Sequence, residues 1–229
     1  MSANPWLVLV LHRPASMSPD EDRRLRRLLS ADEIRRLDAV PTAFARSSFL
    51  LGRALLRVCL ASLLGRPTRE FGFSYSGDGK PGLAPGFGDT PVFFNLSHCR
   101  GLVALALSGA GEIGVDVEEV DGHRRSVERH GLQRSESEIL ARLSSRDRPG
   151  GFVQLWTIKE ACVKARGGRL ADIGAIRATL DSSGHADDVR WWALDVGPRA
   201  RGAVALCVDD QAEPGPVRHL ELSELLETK

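Results

Sequence analysis

The sequence predicts an α+β fold, a pseudo-symmetric tandem of two similar halves spanning 1–110 and 111–229. Three observations predict it. Strand-like apolar runs open both halves, at 6–12 and at 112–120. Each opener is followed by helical patterns and by further short strands. Between the halves, Ser108-Gly109-Ala110-Gly111 is a run of small residues that sustains neither period. No residue-level repeat is visible.

Taken in order, residues 6–12 read as a strand, and 18–27 and 30–37 as Arg-rich helices whose Ser18 and Ser30 are suited to cap them. Residues 41–64 form a longer helix with Phe44, Leu51, Leu55, Val58 and Leu63 at apolar positions, stopped by Gly65 and Pro67. It is the expected core helix of the first half. Turn residues dominate 71–92 around Gly79-Lys80-Pro81. Two buried strands follow at 92–96 and 102–107, joined through Ser97-His98-Cys99-Arg100-Gly101. In the second half the reading is strand 112–120, an Arg-rich stretch at 123–134, helix 135–143 and a loop at Arg148-Pro149-Gly150. A helix at 152–165, ended by Gly167-Gly168, precedes closing strands at 175–180, 189–194 and 203–208.

Composition bounds the function. A chain of 229 residues with 42% apolar content supports a packed core. With 31 Lys+Arg against 30 Asp+Glu, the net charge of +1 gives no polyanion-binding surface, so nucleic acid is not an expected partner. The run Trp6 to Leu11 is too short for a membrane span or a signal-peptide core, which makes a cytoplasmic location the expectation. Cys59, Cys99, Cys162 and Cys207 form no Cys-x-x-Cys pair and read as buried free thiols. Only Lys80, Lys159, Lys164 and Lys229 are lysines, leaving 27 arginines among the 31 basic residues. Three of the four lysines fall in motifs.

Gly114-Val115-Asp116-Val117-Glu118 alternates so that Asp116 and Glu118 share one strand face. On an internal strand two such acids need a counter-charge, and a hard cation such as Mg²⁺ supplies it. In Trp156-Thr157-Ile158-Lys159-Glu160-Ala161-Cys162-Val163-Lys164, Glu160 and Lys164 are i and i+4 on one helix face. A compact ammonium holds a single phosphate oxygen as a point charge, which a guanidinium fork does less well. Lys80 sits on a stiff turn, and Ser97-His98 places a hydroxyl and an imidazole at a strand's mouth.

Together, Gly79-Lys80-Pro81, Phe94-Asn95-Leu96-Ser97-His98, Gly114-Val115-Asp116-Val117-Glu118 and Trp156-x-x-Lys159-Glu160-x-x-x-Lys164 resemble, in order and spacing, the motifs of the 4′-phosphopantetheinyl transferases. The likeness is to their larger, monomeric class, typified by the surfactin-synthetase-activating enzyme. It implies two α+β halves with coenzyme A and Mg²⁺, or Mn²⁺ in its place, in the cleft between them. The implied reaction moves the phosphopantetheine arm of coenzyme A to a serine of an apo acyl or peptidyl carrier protein and releases 3′,5′-ADP. Asp116, Glu118 and Glu160 are the implied metal ligands. Glu160, Lys164 and Asp116 are the implied catalytic set, with Glu160 as base and Lys164 on the pyrophosphate. Lys80, Ser97 and His98 are implied at the nucleotide end, and Lys159 and Arg46 are counted among the cofactor contacts. Arg36 is a second basic candidate, and Glu136 a further acid near the site. The basic stretch 123–134 is a candidate face for an acidic carrier. Two rival readings are a Mg²⁺-dependent nuclease or phosphatase and an inactive coenzyme A- or carrier-binding module.

Overall fold

A computed structural model describes residues 6–75, 80–87, 91–122, 131–208, 213 and 215–227. The strands are β1 (Trp6–His12), β2 (Phe73–Tyr75), β3 (Pro81–Leu83), β4 (Phe93–His98), β5 (Leu102–Ser108), β6 (Ile113–Glu119), β7 (Ser183–Ala186), β8 (Val189–Leu194), β9 (Ala200–Cys207) and β10 (Val217–Leu220). The helices are α1 (Pro19–Arg26), α2 (Ala31–Ala39), α3 (Ala43–Leu64), α4 (Arg134–Ala141), α5 (Arg148–Ala165) and α6 (Leu222–Glu227). One four-stranded sheet has the order β10-β1-β5-β4, another β6-β9-β8-β7, and β2 and β3 pair separately.

Period-two alternation explains how the strands can be apolar on both faces. Along β5, Val103, Leu105 and Leu107 join the core under the N-terminal helices, while Leu102, Ala104 and Ala106 join a second core between the two sheets. β1 divides in the same way, with Leu9 and Leu11 on one side and Val8 and Val10 on the other. The intersheet core is completed by Ile113, Val115 and Val117 of β6 and by Trp192, whose ring lies 5.2 Å from that of Trp6. A third core places α5 on the far face of the second sheet. Four layers result, in the order helices, sheet, sheet, helix.

Local signals set most helix ends. Ser18 with Glu21 and Ser30 with Glu33 form reciprocal capping boxes, and Thr42 caps α3. Gly65 closes α3 at φ 63°, a left-handed conformation that a side chain disfavours. α3 is long and apolar enough to cross a membrane, yet 61% of its most apolar window is buried within the fold, as in a core helix. Glu33, 2% exposed, receives Arg57 Nε and so ties α2 to α3.

The structure departs from the sequence reading in four places. α5 begins at Arg148, because Pro149 falls in the first turn, where its missing N–H costs nothing. Residues 176–180 form no strand; Leu170–Ala175 is a 3₁₀ turn, and the backbone beyond it bonds to side chains, as described below. The short strands β2, β3, β7 and β10 and the helix α6 were not anticipated. Finally, β10 pairs in parallel with β1, and Leu222 and Leu225 of α6 enter the first sheet's core. Residues 217–227 therefore belong with the first sheet, contrary to a simple 1–110 and 111–229 division.

Leu105 is wholly buried at the centre of the first sheet. Leu105→Ala is expected to lower the unfolding free energy by about 2–5 kcal/mol, read from the urea midpoint at constant m-value.

Candidate active site

β4 and β6 are edge strands of different sheets, and edge strands present unpaired amides. Side chains of β4 satisfy those of β6. Asn95 Oδ1 accepts from the Val115 amide at 3.0 Å, and Ser97 Oγ accepts from the Val117 amide at 3.3 Å. The Ser97 hydroxyl in turn donates to Asp116 Oδ1 at 2.8 Å. Asn95 and Ser97, two residues apart, share the strand face that meets β6.

The opposite side of β6 is pressed onto α5. A Cβ at Gly114 would lie 2.1 Å from the Ala161 carbonyl oxygen and 2.5 Å from the Ala165 nitrogen, so only glycine permits this approach. Asp116, two residues on, is thereby carried to the helix face that bears Glu160 and Lys164. Lys164 Nζ lies 2.6 Å from Asp116 Oδ1 and 3.2 Å from Glu160 Oε2. Asp116 is 1% exposed, and its Oδ2 has no hydrogen-bond partner.

Crowded carboxylates set the electrostatics. Burial, followed by repulsion from Asp116 and Glu160, pushes the Glu118 carboxyl up to about 7, with Lys164 opposing. Burial and then Asp116 raise Glu160, while Lys164 and a hydrogen bond from Trp156 hold it down. Burial pulls the Lys164 ammonium down, but Asp116 and Glu160 more than offset it and leave it raised. Among the described residues, no three His, Cys, Asp or Glu side chains gather as a ready metal site. Asp116, Glu118 and Glu160 act on one another through their charges, and Lys164 stands in the position of counter-ion.

His98 ends β4, with its ring 6.0 Å from that of Phe44. Desolvation first, then the cations Arg13 and Lys164, disfavour its protonated form, against the pull of Asp116. Lys80 Nζ donates to Glu112 Oε2 at 2.7 Å, to the Lys164 carbonyl at 3.0 Å and to the Ile113 carbonyl at 3.3 Å. It joins the start of β6 to the end of α5 and lines a cavity of about 290 Å³ with Ser74, Phe93 and Glu112.

Other expected site residues are held elsewhere. Lys159 is fully buried, with Nζ on both oxygens of Glu136, at 2.8 and 2.7 Å, and on the Ile176 carbonyl at 2.6 Å. Adjacent helix positions point about 100° apart, so a helix that aims Glu160 at Asp116 turns Lys159 inward. The assignment of Lys159 as a cofactor contact is corrected accordingly. Glu136, expected near the site, is likewise interior and accepts the amides of Gln133 and Ala178. These bonds to Ile176 and Ala178 replace a strand ladder in 176–180. Arg46 Nη1 bonds the Val40 and Pro41 carbonyls at the entry to α3, and Arg36 pairs with Asp32 on the surface. Of the basic stretch, 123–130 lies outside the described residues, and Arg134 is exposed beside Glu138. Arg13, absent from the sequence reading, lies between Phe44 and Ser48 near His98. Its only sequence signal is a cation directly after the first strand.

Residues 112–194, which span β6, α5 and β9's partner strand β8, match the family model of the 4′-phosphopantetheinyl transferase superfamily. The chain belongs to this superfamily. It is 31% identical over 172 residues to the 4′-phosphopantetheinyl transferase HetI of Nostoc sp. (strain PCC 7120), covering 74% of this chain and 71% of that protein. The 4′-phosphopantetheinyl transferase AcpT of Salmonella typhi is 36% identical over 146 residues, 62% of this chain and 70% of its own length. With the 4′-phosphopantetheinyl transferase gsp of Aneurinibacillus migulanus the identity is 30% over 118 residues, 52% and 47% of the two chains.

Lys159→Ala leaves Glu136 buried without its cation and is expected to destabilise the fold by about 3–5 kcal/mol. The double variant Lys159→Met with Glu136→Leu is expected to recover much of that loss in denaturant titrations.

Proposed function

We propose that the protein transfers the 4′-phosphopantetheine arm of coenzyme A to a serine hydroxyl of an apo carrier protein, releasing 3′,5′-ADP, with Mg²⁺ as the metal. The observation that carries this reading is the Asp116–Lys164–Glu160 group, held at the meeting of β6 and α5 by Gly114 in a chain of this superfamily.

The acidic set suits a hard divalent cation. Asp116 Oδ2 is buried without a partner, and burial, followed by repulsion from Asp116, raises the Glu118 and Glu160 carboxyls, which supports a site that takes up further positive charge. Asp116, Glu118 and Glu160 would hold the metal. When bound, it supplies positive charge that neutralises phosphate oxygens.

The chain's own residues provide the remaining chemistry. Lys164 releases its carboxylate partners to hold a diphosphate oxygen through Nζ, where charge grows as the phosphoryl bond breaks. Glu160 accepts the proton of the attacking serine hydroxyl at its carboxylate, which burial keeps more basic than an exposed glutamate. Ser97 fixes Asp116 through its hydroxyl. Lys80 and His98, on either side of this group, receive the nucleotide end of coenzyme A. A monomer acting in the cytoplasm, on a cofactor seated between the two sheets, completes the proposal.

Intact mass of an apo carrier incubated with coenzyme A, Mg²⁺ and the protein tests the reading. Gain of one phosphopantetheine arm is expected; phosphate release without mass gain would establish a hydrolase instead. Asp116→Ala and Glu160→Gln are each expected to abolish turnover, and Lys164→Ala to lower kcat by about 10²–10³-fold with unchanged circular dichroism. Wild-type turnover by folded Asp116→Ala in Mg²⁺ would refute the metal assignment.

A further inference from the structure

His12 and His219 come from opposite ends of the chain and meet at the end of β1. Strand alternation explains the meeting. In the parallel register of β1 with β10, Val8 pairs with Val217 and Val10 with His219, so His12 and His219 continue the row that packs toward the second sheet. Arg218, opposite Leu9, falls on the other face. The two imidazoles are inclined by only 26° with centroids 5.2 Å apart, and His12 Nε2 stands 3.0 Å from His219 Nδ1. His219 Nε2 lies 3.1 Å from the Asp195 carbonyl, in the connection from β8 to β9. The Asp195 side chain steadies that connection by accepting from the Gly197 amide at 3.1 Å.

These bonds decide the tautomers. A carbonyl only accepts, so His219 carries its proton on Nε2 and presents a lone pair at Nδ1, and His12 must then donate from Nε2. His219 is therefore arranged like a metal-ligating imidazole, with one nitrogen oriented by a backbone carbonyl and the other offering its lone pair. His12 reaches the ligating state when its proton moves from Nε2 to Nδ1, a tautomer change that keeps the ring neutral and releases no proton. Two metal–nitrogen bonds of about 2.0–2.1 Å, at angles between square and tetrahedral, hold their nitrogens roughly 2.9–3.4 Å apart. The 3.0 Å between His12 Nε2 and His219 Nδ1 falls in that span. Neutral imidazoles favour a borderline ion such as Zn²⁺ over Mg²⁺, which takes oxygen ligands. Two side-chain donors leave the other positions to water, so binding is weaker than in a closed four-ligand site.

We propose that His12 Nε2 and His219 Nδ1 bind Zn²⁺, and that the ion clips the C-terminal strand β10 to β1 beside the second sheet. The site uses no residue of the Asp116–Lys164–Glu160 group and does not rest on the transferase reading. The probe is Zn²⁺ added to the full chain in excess Mg²⁺, which competes for the carboxylates. Calorimetry is expected to show a Zn²⁺ affinity that falls by about tenfold or more in His12→Gln and in His219→Gln, both with unchanged circular dichroism. Zn²⁺ is expected to raise the melting temperature of the wild type and a chelator to reverse the rise, with neither effect in the double variant. Long-range ¹H–¹⁵N spectra read the ligation directly: Zn²⁺ is expected to shift His12 Nε2 and His219 Nδ1 and to leave His219 Nε2 protonated. Equal Zn²⁺ affinity in the wild type and both histidine variants, or shifts confined to other histidines, would overturn the site. Zn²⁺ binding lost in Asp116→Ala but kept in both histidine variants would assign the ion to the carboxylates and overturn it equally. Failure of phosphopantetheine transfer bears on the transferase reading alone and leaves these readouts unchanged.

Discussion

The arrangement depends on two edge strands that meet without forming a ladder. Continuous pairing of β4 with β6 would have merged the sheets and carried hydrogen bonds straight across the place where Asp116 now sits. Instead the Asn95 and Ser97 side chains take the amides of Val115 and Val117. Side-chain acceptors are longer than a backbone carbonyl, so the strands stand further apart than ladder spacing. The intersheet core fixes their separation, and Ser97 has a hydroxyl proton left for Asp116. One residue therefore satisfies backbone at the seam and orients the central acid of the site.

The second constraint is the close approach of β6 to α5, which Gly114 allows. Strand and helix share the charged group: acids from one, acid and ammonium from the other. Lys164 balances two carboxylates, which keeps an otherwise repulsive cluster compatible with a folded chain. In the proposed reading, a cofactor that brings its own cation and its own anions would exchange this internal pairing for external ones. Asp116 and Glu160 are thus already paired with Lys164, a group with another use in the proposed reading, while Asp116 Oδ2 is left without a partner.

Much of this was legible in the residues. Asp116, Glu160 and Lys164 were readable because strand and helix periods are local, and Ser18 and Ser30 announced their caps by residue type, to which the structure adds the reciprocal bonds of Glu21 and Glu33. Lys159 shows where such reading stops. Scarcity of lysine marks it as unusual, but a buried partner at Glu136 and a bound phosphate leave the same mark in one dimension, and only the helix rotation separates them. The alternating residues at 176–180 resemble a strand in sequence, but Glu136 and Lys159, and not a neighbouring strand, bond the backbone at Ala178 and Ile176. Arg13 carries no motif at all; its place is set by Ser48 and Cys99, which are 35 and 86 residues away along the chain. β10 escaped for the same reason, being four residues long with its partner at the opposite end of the sequence.

The β10–β1 pairing also has a consequence for biosynthesis. β1 is among the earliest described segments to leave the ribosome, whereas the strand that covers its outer edge is among the latest. Throughout translation of everything between them, β1 presents an open edge with a highly apolar sequence. The first sheet is sealed only after the second sheet and α5 have been made, so the edge of β1 that β10 covers stays open to mispairing through that interval.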